Sequence, residues 1–326
     1  MMNQFRRILV YAESGNADAL KRVVDLAERN RADLTICDVI DSPPVQSGQR
    51  ELVARLNALS WQLALERLRA LAAPYRSRIS LDYVVLSGIP FLAVTEQVVR
   101  QGFDLVVHIC DGNSSVCGDG LSSTGMHLIR KCPCAVWVEN PGIHSGSANL
   151  VLSVDRDFHE SRNPAETLAR ELAQMATIVA SAGSTLHVVH AWKPFAESLL
   201  QLEDACLTLH EAEIYLDSLE RDYRQWMAGL TECLSSAAPG LTIHPHLVRG
   251  AVAPAIEQVV RETDAGLILM GTVGTSDIPG VLIGPNAEAI LQTTETPVLA
   301  LKPRGFSTRL QFTGRPRENS TLSASQ

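Results

Sequence analysis

Residues 88–107 read GIPFLAVTEQVVRQGFDLVV, and residues 250–269 read GAVAPAIEQVVRETDAGLIL. The string EQVVR occurs in both stretches, and its two glutamates, Glu96 and Glu257, are 161 residues apart. A repeat of this length has the size of a whole domain. The chain of 326 residues therefore carries two copies of one domain in tandem.

Other segments of the two halves also correspond. Residues 128–138 (LIRKCPCAVWV) match residues 290–300 (ILQTTETPVLA), and residues 8–13 (ILVYAE) match residues 150–155 (LVLSVD). In both halves short aliphatic runs alternate with stretches of helical periodicity, which predicts βαβ units and a parallel sheet. The predicted strands are residues 8–11, 34–40, 79–86, 105–109 and 135–138 in the first half, and 150–154, 185–191, 241–247, 267–270 and 298–301 in the second.

The predicted organisation is two α/β domains of five strands each, with helices on both faces of each sheet. The first domain covers residues 1–140 and the second covers residues 149–303. A linker rich in Pro, Gly, Ser and Asn separates them at residues 139–149. Residues 304–326 contain few apolar side chains, so we expect a flexible tail.

A long helix is predicted between the second and third strands of each half. Apolar residues recur there at steps of three and four, so each helix has one apolar stripe that we expect to face the core. The stripes consist of Leu52, Leu56, Leu59 and Leu63 in the first half, and of Leu216, Leu219, Tyr223, Trp226, Leu230 and Cys233 in the second.

Composition and charge exclude several classes of protein. The chain has 36 acidic and 28 basic side chains and a net charge of -8, which disfavours binding to the phosphate backbone of nucleic acids. No apolar run approaches the roughly 20 residues of a membrane span, and the first residues lack the pattern of a signal peptide. Seven cysteines, an odd number, do not indicate a disulfide framework. We therefore expect a cytoplasmic protein with reduced thiols that binds neither nucleic acid nor membrane.

The stretch with the clearest chemical pattern follows the fourth predicted strand of the second half. Residues 270–288 read MGTVGTSDIPGVLIGPNAE and contain Gly271-x2-Gly274-x9-Gly284. Glycines let backbone N–H groups approach an anion closely, and a helix that begins near Asn286 directs its positive end to the same place. The pattern indicates a phosphate-binding loop.

Asp155 directly follows the first predicted strand of the same half, at its carboxyl end. If strands one and four are neighbours at a topological switch point, Asp155 lies beside the glycine loop, where doubly wound sheets bind ligands. An aspartate in that place can accept hydrogen bonds from ribose hydroxyls or from an adenine edge.

The tandem repeat, the LSVD strand end at residues 152–155 and the Gly-x2-Gly-x9-Gly loop together resemble the universal stress protein family. The segment HLIRKCPCAVWV, which begins at His127, is similar to the tandem, E-type members. The resemblance covers nearly all of residues 5–303. It implies a strand order of 3-2-1-4-5 in each doubly wound sheet and an intrachain pseudo-dimer paired through the fifth strands. Residues 135–138 and 298–301 are apolar edge strands that this pairing would cover.

The resemblance also implies that the second half binds ATP. In nucleotide-binding members of the family the aspartate contacts the base and ribose, and the glycine loop holds the phosphates. This sequence departs from that pattern at Pro285, which has no N–H, and at Val273, where those members often have a basic residue. The implied cofactor-binding residues are Asp155, Met270, Gly271, Val273, Gly274, Gly284 and Asn286.

The first half has lost most of this pattern. Glu13 replaces the strand-end aspartate, Cys110 stands in place of the first glycine, and Ser122 stands in place of the third. We therefore predict no nucleotide there. The nearby cysteines do not have zinc-ribbon spacings, so no metal site is predicted either.

The sequence contains no GxSxG elbow, no HExxH motif and no complete P-loop, so no catalytic residues are predicted, and weak nucleotide hydrolysis stays open. We expect a cytoplasmic stress-response binding protein whose second half senses ATP or a related nucleotide, without turnover as its main role. Two alternatives stay open: a ligand-independent scaffold for protein partners, and a binder of an apolar, lipid-like molecule with residues 195–210 as a lid. Whether two chains form a homodimer is also open.

Overall fold

The computed structural model describes residues 5–13, 16–41, 50–110, 121–140, 148–156, 164–181, 183–195, 208–272, 283–303, 306–308 and 310. The chain divides into two compact units. The first consists of Met1–Ser145 and Thr294–Gln326, and the second consists of Gly146–Thr293.

The helices and strands alternate along the chain, as expected for βαβ units. The strands are β1 (Arg7–Ala12), β2 (Asp33–Ile40), β3 (Leu81–Ser87), β4 (Leu105–Ile109), β5 (Ala135–Glu139), β6 (Asn149–Ser153), β7 (Thr185–Trp192), β8 (Thr242–Arg249), β9 (Leu267–Gly271) and β10 (Val298–Leu301). The helices are α1 (Ala17–Asn30), α2 (Arg50–Ala72), α3 (Pro90–Gln101), α4 (Ser123–Lys131), α5 (Pro164–Val179), α6 (Leu209–Ala237), α7 (Val252–Thr263) and α8 (Pro285–Thr293), and a short 3-10 turn, Ala73–Tyr75, follows α2.

The sheet of the first unit has the strand order β3-β2-β1-β4-β5, and these five strands are parallel. This confirms the expected order 3-2-1-4-5. Strand β10 pairs with β5 in the antiparallel direction, with Val298 opposite Val138 and Ala300 opposite Val136. The expected pairing of the two fifth strands is therefore confirmed, and it covers an apolar strand edge.

The second unit repeats the same arrangement. Its strands lie in the order β8-β7-β6-β9 and are parallel, which corresponds to strands 3-2-1-4 of the repeat. In both units the second and third strands lie on one side of the first strand, and the fourth strand lies on its other side. The two topological switch points are therefore at the carboxyl ends of β1 and β4 and at those of β6 and β9.

The predicted domain limits, 1–140 and 149–303, describe the sequence repeat and stay predictions. In the structure Thr294–Gln326 belongs to the first unit, because β10 forms its ladder with β5. The predicted tail lies mostly outside the described residues. Phe306, near its start, is half-buried, and its ring lies 4.4 Å from Lys302 Nζ.

The apolar stripe of α6 faces inward, as predicted. Tyr223 and Leu230 are buried, and the remaining members of the stripe are half-buried. The start of this helix is fixed by a capping box in which Thr208 Oγ1 accepts a hydrogen bond from Glu211 N, and Glu211 Oε2 accepts one from Thr208 N.

The interpretation of the α2 leucines as core residues is wrong. Leu52, Leu56, Leu59 and Leu63 are each more than half exposed, and the sheet-facing side of the helix carries Ala64, Leu68 and Ala72. Periodicity shows that a helix has two faces, but it does not show which face packs.

Arg67 fixes the rotation of α2. Its Nη2 lies 2.6 Å from Asp38 Oδ1 at the end of β2, and the same atom donates a hydrogen bond to Ala12 O at 3.4 Å. These contacts hold the neighbouring Leu68 against the sheet and direct the four leucines outward.

Among the described residues, no helix has both the length and the apolar character needed to cross a bilayer.

Candidate functional site

The switch point of the second unit lies between β6 and β9. Leu152 pairs with Leu269, so the two strands leave the sheet side by side at their carboxyl ends. Asp155 follows β6 by two residues and is exposed, and its Oδ1 accepts a hydrogen bond from Arg156 N at 2.9 Å. This pairing confirms that the first and fourth strands of this half are neighbours, as expected, and the position of Asp155 beside the glycine loop stays a prediction.

Gly271 is the last residue of β9, and a side chain at this position would require the end of the Leu168 side chain to shift. A Cβ atom built on it would lie 2.4 Å from Leu168 Cδ2 of α5. The glycine lets α5 pack closely against the strand end and leaves the backbone uncovered by a side chain of its own. Met270, the preceding residue, is buried, so its side chain belongs to the core.

The far end of the glycine loop is held to the end of β9. Gly284 N donates a hydrogen bond to Thr272 O at 2.8 Å, and α8 begins at the next residue, Pro285. Glu288 N bonds to Gly284 O, the first bond of the helix. The amino terminus of α8, with its partial positive charge, therefore lies at the carboxyl end of β9.

Helix α8 begins one residue before the predicted start at Asn286. Proline suits the first helical position because its φ angle is already helical and the N–H it lacks has no partner within the helix. Asn286 is exposed at the second position. Val273 and Gly274, two of the predicted ligand-binding residues, lie outside the described residues.

The residues that follow Asp155 include a cation that the sequence motif did not single out. Arg156 Nη1 lies 2.9 Å from Asp222 Oδ2, and its guanidinium group lies over the rings of Tyr223 (5.4 Å) and Trp226 (5.8 Å). Arg156 and Asp222 are far apart in the sequence and meet only in the folded chain. To predict this pair, one would have had to know which side chains of α6 face the end of β6.

His190 lies beneath the same aromatic residues. Its ring centroid is 5.1 Å from that of Tyr223 and 4.9 Å from that of Trp226, and its Nδ1 is 3.2 Å from Val154 O. Burial lowers the pKa of His190, so the ring is neutral at neutral pH and donates its Nδ1 proton to the carbonyl. Its remaining nitrogen, Nε2, is a buried acceptor.

A cleft of about 440 Å³ lies between α5 and α6, next to this cluster. It contains a cation and two carboxylates as well as apolar and small residues. Such a mixed lining does not match the apolar-ligand alternative, and residues 196–207 of the predicted lid lie outside the described residues. The lining residues are Arg156, Glu166, Asp222, Gln225, Trp226, Gly229, Leu230 and Cys233.

Three histidines lie on the neighbouring strands β7 and β8. His187 Nδ1 is 2.9 Å from His246 Nε2, and the rings of His187 and His244 stack at 5.7 Å. Burial and the two neighbouring imidazoles lower the pKa of His187 to about 4, so it is neutral at physiological pH. Within the described ranges, no three His, Cys, Asp or Glu side chains are arranged to hold a metal ion.

The equivalent switch point of the first unit is filled by the side chains of the protein itself. His108 is fully buried and lies 3.3 Å from Glu13 Oε1, 3.7 Å from Cys110 Sγ and 3.5 Å from Ser122 Oγ. Its ring stacks on Tyr11 at 5.2 Å. Where the second unit has a glycine and an exposed aspartate, the first unit has a packed polar cluster.

The His108 cluster has an unusual charge balance. Burial alone would lower the pKa of His108, but hydrogen bonds with Cys110 and Glu13 outweigh burial and raise that pKa to about 9. Ser122 caps α4 by accepting a hydrogen bond from Gly125 N at 3.1 Å. The cluster therefore has a structural role in which a charged imidazole lies beside a carboxylate.

Fold and site together define a class: a tandem pair of doubly wound α/β units with one glycine-bearing switch point and one filled switch point. The chain belongs to the universal stress protein family, since the model of that family matches residues 4–138 and 161–302. It is therefore a stress-response family member with tandem domains.

Curated relatives carry the same description. The chain is 25% identical over 233 residues to universal stress protein E of Escherichia coli strain K12, covering 70% of each protein. It is 24% identical over 321 residues to universal stress protein E of Photorhabdus laumondii, covering 94% of this chain and 97% of that protein.

Solved structures show the same fold over nearly the whole chain. The functionally unknown protein PA1789 from Pseudomonas aeruginosa PAO1 aligns with a TM-score of 0.61 at 22% identity, covering 93% of this chain and 94% of that one. A universal stress protein from Archaeoglobus fulgidus aligns with a TM-score of 0.59 at 14% identity, covering 92% of this chain and 98% of that one.

Proposed function

We propose that the second unit binds ATP or a related nucleotide at the carboxyl ends of β6 and β9, as a sensor rather than as an enzyme. The observation that carries this proposal is the hydrogen bond from Gly284 N to Thr272 O, which holds the start of α8 at the end of β9. A helix amino terminus beside a glycine strand end is suited to a phosphate group. Asp155, on the neighbouring strand end, is exposed and suited to ribose hydroxyls.

The phosphate end of this site has fewer donors than a complete site would have. Pro285 removes the N–H of the first helical position, which leaves those of Asn286 and Ala287 in the first turn of α8. Val273 brings no positive charge. Two missing contacts of roughly 1 to 3 kcal/mol each lower affinity, so a sensor that responds to changes in nucleotide level fits these residues better than a tight cofactor site.

The contrast between the two units supports one nucleotide per chain. In the first unit the corresponding space is taken by His108, Cys110 and Ser122, all of which are buried. In the second unit Gly271 brings no side chain of its own to this place and is partly exposed, and Asp155 is exposed. Turnover is not part of the proposal, because no motif supplies a general base for an attacking water.

Replacing Asp155 with alanine should weaken Mg-ATP binding to the full chain about tenfold to a hundredfold. A hydrogen bond from a ribose hydroxyl to a carboxylate is worth roughly 1.5 to 3 kcal/mol. Isothermal titration calorimetry of the wild type and the Asp155→Ala variant measures the change directly.

The matched control is Asp217→Ala, which removes an exposed carboxylate from α6 of the same unit. We expect this variant to bind Mg-ATP like the wild type, because the two substitutions change the net charge equally. Equal affinity of Asp155→Ala and wild type would contradict the proposed site. If the wild type itself binds no nucleotide and still captures a protein partner, the scaffold alternative is correct.

A further inference from the structure

Two cysteine sulfurs lie in van der Waals contact in the first unit. Cys132 and Cys134 are separated by Pro133 between the end of α4 and the start of β5, and their Sγ atoms are 3.5 Å apart. Cys132 is fully buried, whereas Cys134 is partly exposed and its Sγ also donates to Ala135 O at 3.4 Å. A bonded disulfide requires about 2.05 Å, so the two sulfurs must approach by roughly 1.5 Å.

A buried cation lies next to this pair. Lys302 is only 7% exposed, and it follows β10, whose antiparallel ladder with β5 continues toward Cys134. Its Nζ donates to Arg130 O at 3.3 Å and lies 4.4 Å from the ring of Phe306. The pairing of the fifth strands therefore places Lys302 at the end of β5 where the dithiol lies, and its charge acts on both sulfurs.

The local electrostatics favour one thiolate in the pair. A hydrogen bond joins the two sulfurs, and this bond, helped by the charge of Lys302, lowers the pKa of Cys132 despite its burial. The same bond and burial raise the pKa of Cys134. Burial lowers the pKa of Lys302 to about 8, so the amine is mostly charged at pH 7.

We propose that Cys132 and Cys134 form a reversible redox dithiol, which closes to a disulfide by exchange with a small-molecule disulfide such as oxidised glutathione. Two sulfurs are sufficient for this chemistry, whereas a zinc site needs further ligands, and the described residues contain no group of three metal-binding side chains. The site is independent of nucleotide binding and lies in the other unit.

The exchange has two steps. Cys134, the more accessible sulfur, passes its proton to Cys132, and the resulting thiolate attacks the small disulfide, so that a mixed disulfide forms and the first small thiolate leaves. Cys132 then loses its proton and attacks Cys134 Sγ, which releases the second small thiolate. The pair starts as one thiol and one thiolate, so its two sulfurs are oxidised while one small disulfide is reduced. The single protein proton ends on one of the small thiolates that leave, and the other takes its proton from water.

The test uses the full-length protein in mixtures of oxidised and reduced glutathione, followed by acid quenching, alkylation under denaturing conditions and tryptic digestion. Residues 132–156 form one tryptic peptide that carries both cysteines, since no Lys or Arg occurs between 131 and 156. We expect this peptide to become two hydrogens lighter and to lose both alkyl labels, and dithiothreitol should reverse the change. Cys37, which is fully buried, should stay labelled throughout.

A Cys132→Ser variant separates the two steps. It should stop at a glutathione adduct on Cys134, because the resolving thiol is absent. Full alkylation of the wild-type peptide after treatment with excess oxidised glutathione would overturn the proposal. Separate glutathione adducts on both cysteines of the wild type, with no lighter peptide, would overturn it as well.

Lys302 is inferred to be a positioning residue whose charge stabilises the reacting thiolate. Lys302→Met should slow closure at pH 7 by roughly three- to tenfold and move the pH midpoint of the rate upward, and Lys302→Arg should restore both. A pH profile of Lys302→Met that coincides with that of the wild type would contradict this role.

Discussion

Replacing Leu68 with alanine should lower the free energy of unfolding of the first unit by about 2 to 5 kcal/mol. Leu68 is fully buried on the sheet-facing side of α2, between Ala64 and Ala72. These alanines are too small to fill the cavity that the substitution would leave. Urea unfolding of the full chain, followed by circular dichroism, measures the loss.

The matched control is Leu59→Ala in the same helix. Leu59 is 52% exposed, so its truncation removes little packing and should change the free energy of unfolding by less than about 0.5 kcal/mol. Alanine also favours a helix as much as leucine does. A larger loss for Leu59→Ala than for Leu68→Ala would show that α2 packs with its other face.

Raising the pH from 6.5 to 9 should lower the free energy of unfolding of the first unit by about 3 kcal/mol through His108. The pKa of His108 rises from 6.5 to about 9 in the fold, and each tenfold gain in proton affinity corresponds to roughly 1.4 kcal/mol. Because the folded pKa is raised, the stabilisation is fully present below pH 6.5 and is lost as the pH rises through 9. Urea unfolding at a series of pH values measures the slope.

A Glu13→Gln variant assigns the slope to the His108 cluster. Without the carboxylate 3.3 Å from Nε2, the pKa of His108 should fall, and the drop in unfolding free energy should shrink by about 1 kcal/mol or more. The pKa of Lys302 is lowered to about 8 in the fold, so its deprotonation raises the free energy of unfolding between pH 8 and 10.5, opposite to the effect of His108. This contribution is the same in the wild type and in Glu13→Gln. An identical slope in Glu13→Gln and wild type would contradict a charged His108.

Much of the fold could be predicted because it depends on patterns that are local in sequence. The EQVVR repeat indicated two copies of one domain, and the ten aliphatic runs correspond to the ten strands. The family resemblance implied the order 3-2-1-4-5, which the first unit confirms. Strand limits differ by only a few residues, as for β3, which ends one residue later than predicted.

The face of α2 could not be predicted, since it depends on contacts that are distant in sequence. Four leucines at steps of three and four are a stronger apolar signal than Ala64, Leu68 and Ala72. The ion pair of Arg67 with Asp38 on the neighbouring strand determines which side faces the sheet.

The candidate site was predicted in part for the same reason. The adjacency of β6 and β9 followed from the expected topology and is confirmed by their pairing, whereas the grouping of Asp155, Gly271 and Gly284 into one ligand site stays a prediction. The contact between Arg156 and Asp222, and the electrostatic interaction of Lys302 with the two cysteines, join residues 66 or more positions apart in the chain. No motif connects these residues, and only the strand register and helix packing bring them together.

The central claim is that each chain has one nucleotide site, in the second unit. Native mass spectrometry of the full chain, purified gently from a cell extract, tests it most directly. Denaturing the same sample then identifies the molecule that is released. We expect ATP, ADP or a related nucleotide at a ratio of one per chain, lost in Asp155→Ala and retained in Asp217→Ala. An empty protein that also shows no thermal shift with millimolar ATP, or a chain that carries two nucleotides, would contradict the claim.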